Sequence, residues 1–155
     1  MSVKDKVVTG LLALSVAGAV FITHMEGTEL RAYPDSIGVA TICTGHTKDV
    51  QIGDVATPEQ CLEYLAEDVE DATEDVRRCT TAPVTQAQMD ALISLTFNIG
   101  GANYCRSTLV KKLNAGNCNG AANEFQKWVY ADGKKLNGLV NRRREERKMF
   151  LTGCP

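Results

Sequence analysis

The chain has 155 residues, 44% of them hydrophobic and 23% charged, with a formal net charge of -2 at pH 7. This is the length and composition of one globular domain; it excludes a disordered or fibrous chain, and the near-balanced charge gives no global reason for a polyanionic partner. The charges are unevenly spread: acids crowd Glu59 to Asp75 and bases crowd Lys134 to Lys148, so the local field differs between the two halves.

Val7 to Thr23 carries no charge; at about 1.5 Å per residue it reaches about 26 Å, the short end of a bilayer span. Lys4 and Lys6 precede it, so the positive-inside rule places the amino end in the cytoplasm and the rest of the chain outside. Four readings compete: a cleaved signal peptide with Ala17-Gly18-Ala19 as its small-x-small site, a permanent anchor, a signal-anchor-release segment that inserts and later leaves the bilayer, and a core helix. Thr9, Gly10, Ala13, Ser15, Ala17, Gly18, Ala19 and Thr23 contribute little transfer free energy, which makes insertion marginal and favours the third reading. The expected division is a membrane-inserting segment over 1–24 and a single domain over 25–155. Export then leads to a chain tethered at the inner membrane and later periplasmic.

Six cysteines stand at 43, 61, 79, 105, 118 and 154, an even number without the close pairs of a zinc ribbon. Three disulfides and an oxidising compartment follow, with no metal and no cofactor expected.

Between Leu30 and His46, turn formers Pro34, Asp35, Gly38 and Gly45 punctuate Ile37, Val39, Thr41 and Cys43 at period two, which predicts a β-hairpin or a three-stranded sheet. Thr57-Pro58-Glu59-Gln60 then gives an N-cap, a proline at the first helical position and a capping-box glutamine, followed by Leu62, Leu65, Val69, Ala72 and Val76 at helical spacing; a long amphipathic helix should end near Cys79. A second box, Thr85 with Gln88, opens the nearly all-apolar run Met89 to Ile99, which stops at Gly100-Gly101 and reads as a buried central helix. Shorter helices are predicted at Ser107 to Asn114, Gly120 to Trp128 and Gly138 to Leu151. A few strands followed by helices reads as a mostly helical α+β fold in two lobes, with a small antiparallel sheet and an interlobe cleft.

Glu26 falls where the N-terminal helix should end, with Gly27 available as a left-handed cap, and Asp35 lies eight residues beyond Gly27 in a turn. Glycosidic hydrolysis needs one carboxylic acid to protonate the leaving oxygen and one carboxylate to stabilise the oxocarbenium-like state or steer water. A helix-end carboxyl in an apolar contact is favoured in its protonated form and one in a polar loop stays ionised, so Glu26 and Asp35 fit the two jobs.

The ordered set Glu26, Gly27, Tyr33, Asp35, Thr41, Gly45 and His46 resembles the active-site pattern of the T-even phage lysozymes and related endolysins. Phe97-Asn98-Ile99-Gly100, Ser107-Thr108-Leu109, Trp128 and Asn141-Arg142-Arg143 follow in the same order, so the resemblance runs from about Glu26 to Gly153. It implies a lysozyme-like fold and an endolysin that hydrolyses, with inversion, the bond between N-acetylmuramic acid and N-acetylglucosamine in peptidoglycan. Glu26 would be the general acid, Asp35 the second carboxylate and Thr41 the hydroxyl that positions water. Phe97 and Thr108 would touch the glycan, although on residue type alone Phe97 suits the core as well. Arg142 would pair with Glu26, its alternative being a solvated face in a basic run. The implied enzyme is a monomer whose partners are glycan strands and, through residues 7–23 before release, the inner membrane. The N-terminal extension resembles that of signal-anchor-release endolysins, inactive while tethered.

The resemblance also matches His46 and Asp68 to a structural histidine-aspartate pair, preferred over a metal role for His46. Cys43 lies three residues before His46 on a strand and Cys61 seven before Asp68 on a helix, about 10 Å in each case. If strand and helix run parallel past each other, the pair also brings Cys43 to Cys61. Of the fifteen connectivities six cysteines allow, the expected one adds Cys79–Cys105 and Cys118–Cys154. Two departures are Ala40, where relatives often have an aromatic, and Cys43, which replaces a glycine.

Two other activities fit parts of this pattern: a lytic transglycosylase acting with a single acid, and a non-enzymatic cell-wall-binding protein. Nucleic acid is set aside because Glu145 and Glu146 interrupt Arg142-Arg143-Arg144 and no aromatics interleave.

Overall fold

The computed structural model describes residues 14–155; residues 7–13 of the predicted apolar segment lie outside the described residues. Helix α1 (Val16–Glu26) opens on Ser15, whose Oγ accepts from the Gly18 amide at 3.0 Å. It closes on Gly27 at φ 69 and ψ -176, an extended positive-φ conformation in place of the expected left-handed helical cap, and one where a side chain would be strained. Leu14, Gly18 and Ile22 are buried, so part of the stretch expected in lipid packs here against protein. Among the described residues no helix is long and apolar enough to cross a membrane.

Strands β1 (Glu29–Pro34) and β2 (Ala40–Cys43) form an antiparallel hairpin with Tyr33 opposite Thr41 and Glu29 opposite Cys43. The three-stranded alternative is not what forms, since Val55 meets Arg31 only through an isolated bridge. Cys43 has φ 59, in the left-handed region that favours glycine. Its side chain is nonetheless buried and bonded to Cys61. Ala32, Ile42, Cys43, Ala56 and Cys61 make a small core, with Val50 and Tyr64 against it.

Helix α2 (Pro58–Cys79) carries the predicted capping box, with Thr57 Oγ1 accepting from the Gln60 amide and the Gln60 side chain accepting from the Thr57 amide. It ties the lobes together: Cys61, near its start, belongs to the small core, whereas Leu65, Val69, Ala72 and Val76 belong to the larger one. Helix α3 (Gln86–Ile99), opened by the Thr85–Gln88 box, is buried from Asp90 to Thr96. Around it pack α1, α2, α4 (Gly101–Arg106) and α7 (Asn137–Leu151), with α5 (Thr108–Asn114), α6 (Cys118–Glu124) and the 3-10 turn Phe125–Lys127 completing the lobe. The predicted class, a mostly helical α+β fold in two lobes, is the one observed.

Two elements were not expected. The helix stops after Ile99 as its glycines suggest, but the chain turns there, Gly100 at φ 88, and restarts as the short helix α4. A Cβ on Gly101 would lie 1.8 Å from Asp75 Oδ2, so close packing against α2 accounts for this glycine. Trp128 precedes a two-residue hairpin, β3 (Tyr130–Ala131) with β4 (Lys134–Lys135), turned by Asp132 at φ 50 and Gly133 at φ 72. That is the Asp-Gly signature of a tight hairpin.

The structure pairs Cys43 with Cys61, Cys79 with Cys105 and Cys118 with Cys154, with Cα–Cα separations of 5.1, 5.4 and 5.7 Å. The first staples the hairpin to α2, the second α2 to α4, and the third α6 to the C-terminal tail.

Candidate active site

A cleft of about 520 Å³ runs between the lobes, lined by Glu26, Tyr33, Asp35, Thr41, Gly45 and Phe97 among others. Three different local structures deliver its polar groups. Glu26 is the last residue of α1, Asp35 opens the tight turn between β1 and β2, and Thr41 sits on β2.

The side chain of Glu26 is 18% exposed and its Oε1 accepts from Arg142 Nη1. The apolar contact expected around this carboxyl is therefore replaced by a cation. Arg142 is buried on α7 and is itself fixed: Nη2 donates to the Ser94 carbonyl at 3.2 Å and Nε to Glu146 Oε1 at 3.2 Å. Glu146 is fully buried, accepts from Ser94 Oγ at 2.7 Å and meets Arg143 Nε at 2.7 Å. Burial pushes the Glu146 carboxyl up, and the Arg143 and Arg142 charges and the Ser94 hydroxyl offset part of that rise. Arg143 in turn donates to Asn98 Oδ1 at 2.9 Å. A buried chain of alternating charge thus runs from α7 to the tip of α1.

The second oxygen of Glu26 is hemmed by Gly45. Gly45 has φ 90, and a Cβ there would stand 3.1 Å from Glu26 Oε2 and 3.8 Å from a Phe97 ring carbon. Glycine is required twice over, by backbone conformation and by the approach of the carboxylate.

Asp35 is held by backbone instead. Its Oδ1 accepts from the Ile37 amide at 2.9 Å and the Val39 amide at 2.8 Å, an arrangement that steadies a carboxylate and leaves Oδ2 for the cleft. Thr41 is 4% exposed and its hydroxyl donates to the Val39 carbonyl at 2.9 Å. With its proton so placed, the Thr41 oxygen presents lone pairs and can accept from a water. Tyr33, between the acids, has its phenol pushed up by burial and then by the charges of Glu26, Glu29 and Asp35.

Phe97 lines the cleft and also packs against the large core, so both of its expected roles coexist. Thr108 is exposed at the start of α5 and is not among the residues lining the cleft. His46 is buried and does not line the cleft; its Nδ1 lies 2.9 Å from Asp68 Oδ2, and its ring stacks on Tyr64 at 4.2 Å. Burial alone would lower the His46 value, but the hydrogen bond and charge of Asp68, with Glu67, raise it above 6.5. Sequence reasoning missed the supporting set Ser94, Glu146 and Asn98; the charge run around Arg142 hid which of its members point inward.

Two carboxylates facing one groove between the lobes, one at a helix tip and one in a turn, suit the chemistry of a glycoside hydrolase of lysozyme type. The phage lysozyme family model matches residues 23–146, and the chain belongs to that family. It is 43% identical to the endolysin of Acyrthosiphon pisum secondary endosymbiont phage 1 over 88% of this chain and 97% of that one. It is 35% identical to the SAR-endolysin of Enterobacteria phage P21 over 83% and 79%. Among solved structures, the endolysin from Escherichia coli O157:H7 phage FAHEc1 superposes with a TM-score of 0.79 at 42% identity, covering 92% of this chain and 96% of that one. The chain is accordingly an endolysin, a hydrolase of the glycan strands of bacterial peptidoglycan.

Proposed function

We propose that Glu26 protonates the glycosidic oxygen between N-acetylmuramic acid and N-acetylglucosamine, while Asp35 and Thr41 hold the water that attacks from the opposite face of the sugar. The observation that carries this reading is the shared cleft: Glu26, Asp35 and Thr41 all line it, each fixed by a different partner. Arg142 orients the donor. The Asp35 carboxylate takes a proton from the water as it adds to the anomeric carbon, and the Thr41 oxygen accepts the water's other hydrogen. Attack by a directly held water gives inversion, as the T-even pattern implies. The test is the release of reducing ends from purified peptidoglycan. Glu26→Gln and Asp35→Asn should each lower the rate by at least about a hundredfold with the fold intact. Full activity of Asp35→Asn would point to a transglycosylase and overturn the two-carboxylate scheme.

We further propose that residues 1–24 act as an anchor that holds the exported enzyme inactive at the inner membrane until release to the periplasm. Leu14, Gly18 and Ile22 are buried in the folded protein, and the same residues cannot lie in lipid and in this core at once. While the segment is inserted, Glu26 is drawn away from Arg142 and the cleft lacks its proton donor. Similarity to proteins named SAR-endolysins supports the reading. Locking the segment in the bilayer with Gly10→Leu and Ala17→Leu should abolish cell-wall clearing; full activity in the membrane fraction would refute it. Ala17 is chosen because it is exposed on α1, so a leucine there leaves packing of the released form undisturbed.

A further inference from the structure

Asp90 is a carboxylate of 5% exposure on α3 that the chemistry above does not use. Its Oδ1 accepts from the Ser15 amide at 3.0 Å and from Gln86 Nε2 at 2.9 Å, and its Oδ2 from the Ser15 hydroxyl. The Ser15 oxygen also caps α1 by accepting from the Gly18 amide. Gly18 then rests directly on Asp90: a Cβ there would lie 2.8 Å from Asp90 Cγ and 2.8 Å from Leu14 Cδ1.

We infer that Asp90 is a positioning residue for the proton donor: it captures the amino end of α1 through Ser15 and Gly18, and so fixes the helix whose last residue is Glu26. The inference rests on Glu26 being the donor.

The argument turns on what apolar burial does and does not specify. Val16 to Thr23 reads VAGAVFIT, apolar on every side, and Val16 and Val20 remain 84% and 63% exposed in the folded protein. Such a helix gains from burying any of its faces, because the hydrophobic effect is non-directional. Rotating it by one residue turns Glu26 by about 100° and shifts it about 1.5 Å along the axis. That is enough to take the carboxyl off Arg142 and out of the cleft. Directional bonds to a buried carboxylate remove the ambiguity. Charge-assisted hydrogen bonds are stronger than neutral ones, and a negative charge suits the positive end of the α1 dipole. Withdrawing Ser15 would strip Asp90 of two of its three donors in a buried place, a state that proteins avoid. Gly18 completes the device, since any side chain there would push the helix off this depth and rotation. Asp90 holds one end of α1 and Arg142 the other, about 16 Å apart at helical rise.

The full-length chain, purified after release, provides the test, with kcat and KM on peptidoglycan measured well below thermal unfolding. Asp90→Ala should lower kcat about tenfold while KM moves less than twofold, as expected for a misplaced catalytic group. Asp90→Asn, which keeps an acceptor for the Ser15 amide, should recover most of that loss. Ser15→Ala should lower kcat by less, and Ser15→Ala combined with Asp90→Ala should be no worse than Asp90→Ala alone. Amide hydrogen exchange should accelerate over 19–26 and stay protected in α3. A kcat within twofold of wild type for Asp90→Ala or Gly18→Ala, or losses that multiply in the double variant, would overturn the inference. Should Asp90→Ala not fold, Ser15→Ala and Gly18→Ala carry the same test from the α1 side. Glu26→Gln measured alongside separates the two readings: if it is dead while the α1 and α3 variants match wild type, only the positioning role fails.

Discussion

The two lobes are held together by different physics. Among the described residues the helical lobe buries eighteen hydrophobic side chains, four of them on α3 itself, and carries two disulfides, whereas the hairpin lobe buries five, two of which are the halves of Cys43–Cys61. So few side chains cannot offset the conformational entropy of the roughly thirty residues from β1 to the start of α2. The small lobe therefore depends on bonds to α2: the disulfide, the His46–Asp68 pair and the Tyr64 ring on His46. Asp35 and Thr41 sit on the weakly founded side of the cleft, and Arg142, which orients Glu26, on the strong one. Chemistry that needs both carboxylates in register should be lost well before the helical lobe melts.

The largest effect should come from the strong side. Glu146→Gln leaves the buried Arg142 and Arg143 without their shared counter-charge, and breaking a buried pair in this way costs about 3 to 5 kcal/mol. Thermal or urea unfolding of the whole domain should register it, with activity falling further because Arg142 loses a fixed partner. Glu145 is exposed on the same helix, and Glu145→Gln should stay within about 0.5 kcal/mol of wild type. Equal effects from the two would mean that the charge chain behind Glu26 contributes nothing.

Disulfide removal sharpens the contrast. Cys43–Cys61 closes 18 residues and Cys118–Cys154 closes 36, so loop entropy alone predicts similar losses of about 3 to 4 kcal/mol each. The location predicts different symptoms. Replacing Cys118 and Cys154 by serine should lower the unfolding temperature of the whole molecule, with the activity of the folded fraction kept. Replacing Cys43 and Cys61 should instead release the hairpin, so that the rate falls at temperatures where circular dichroism still reports intact helices. Parallel loss of rate and helicity in the second variant would show that the lobes unfold as one.

The helical lobe was largely legible in the sequence because its signals are local: two capping boxes, apolar residues at helical spacing, and a glycine after Glu26. The fold class followed from those, and so did the cleft between strands and helices. What was not legible lay in contacts between distant residues. Gly101 reads as a stop until Asp75 is seen against it, and Asp132-Gly133 turns strands too short to show a period. Arg142 and Glu146 sit in a run of seven charged residues, Arg142 to Lys148, and only the packing of α7 on α3 separates the buried members from solvated Arg144 and Glu145. Asp90 gave no signal at all, since one acid in an apolar helix reads as its exposed edge. The residues expected to form the site, Glu26, Asp35, Thr41 and Phe97, line one cleft in the structure, while Thr108 stands outside it.

The smallest effect concerns the pair that fastens the hairpin lobe. Asp68 and Glu67 raise His46 above 6.5 against the opposing influence of burial, so the folded state binds this proton more tightly than the unfolded chain. The stabilisation is then fully present below about pH 6.5 and fades as pH rises through the folded value. Wild-type unfolding temperature should decline from pH 6 to pH 8, and Asp68→Asn, which removes the charge but keeps a hydrogen-bond acceptor, should flatten that slope and lower the pH 6 value. Because the bond lies in the small lobe, the rate on peptidoglycan should respond to the substitution at temperatures where global unfolding is still negligible. An Asp68→Asn protein with the wild-type slope would mean that His46 is held by Tyr64 and burial alone, and that the hairpin lobe rests on its disulfide.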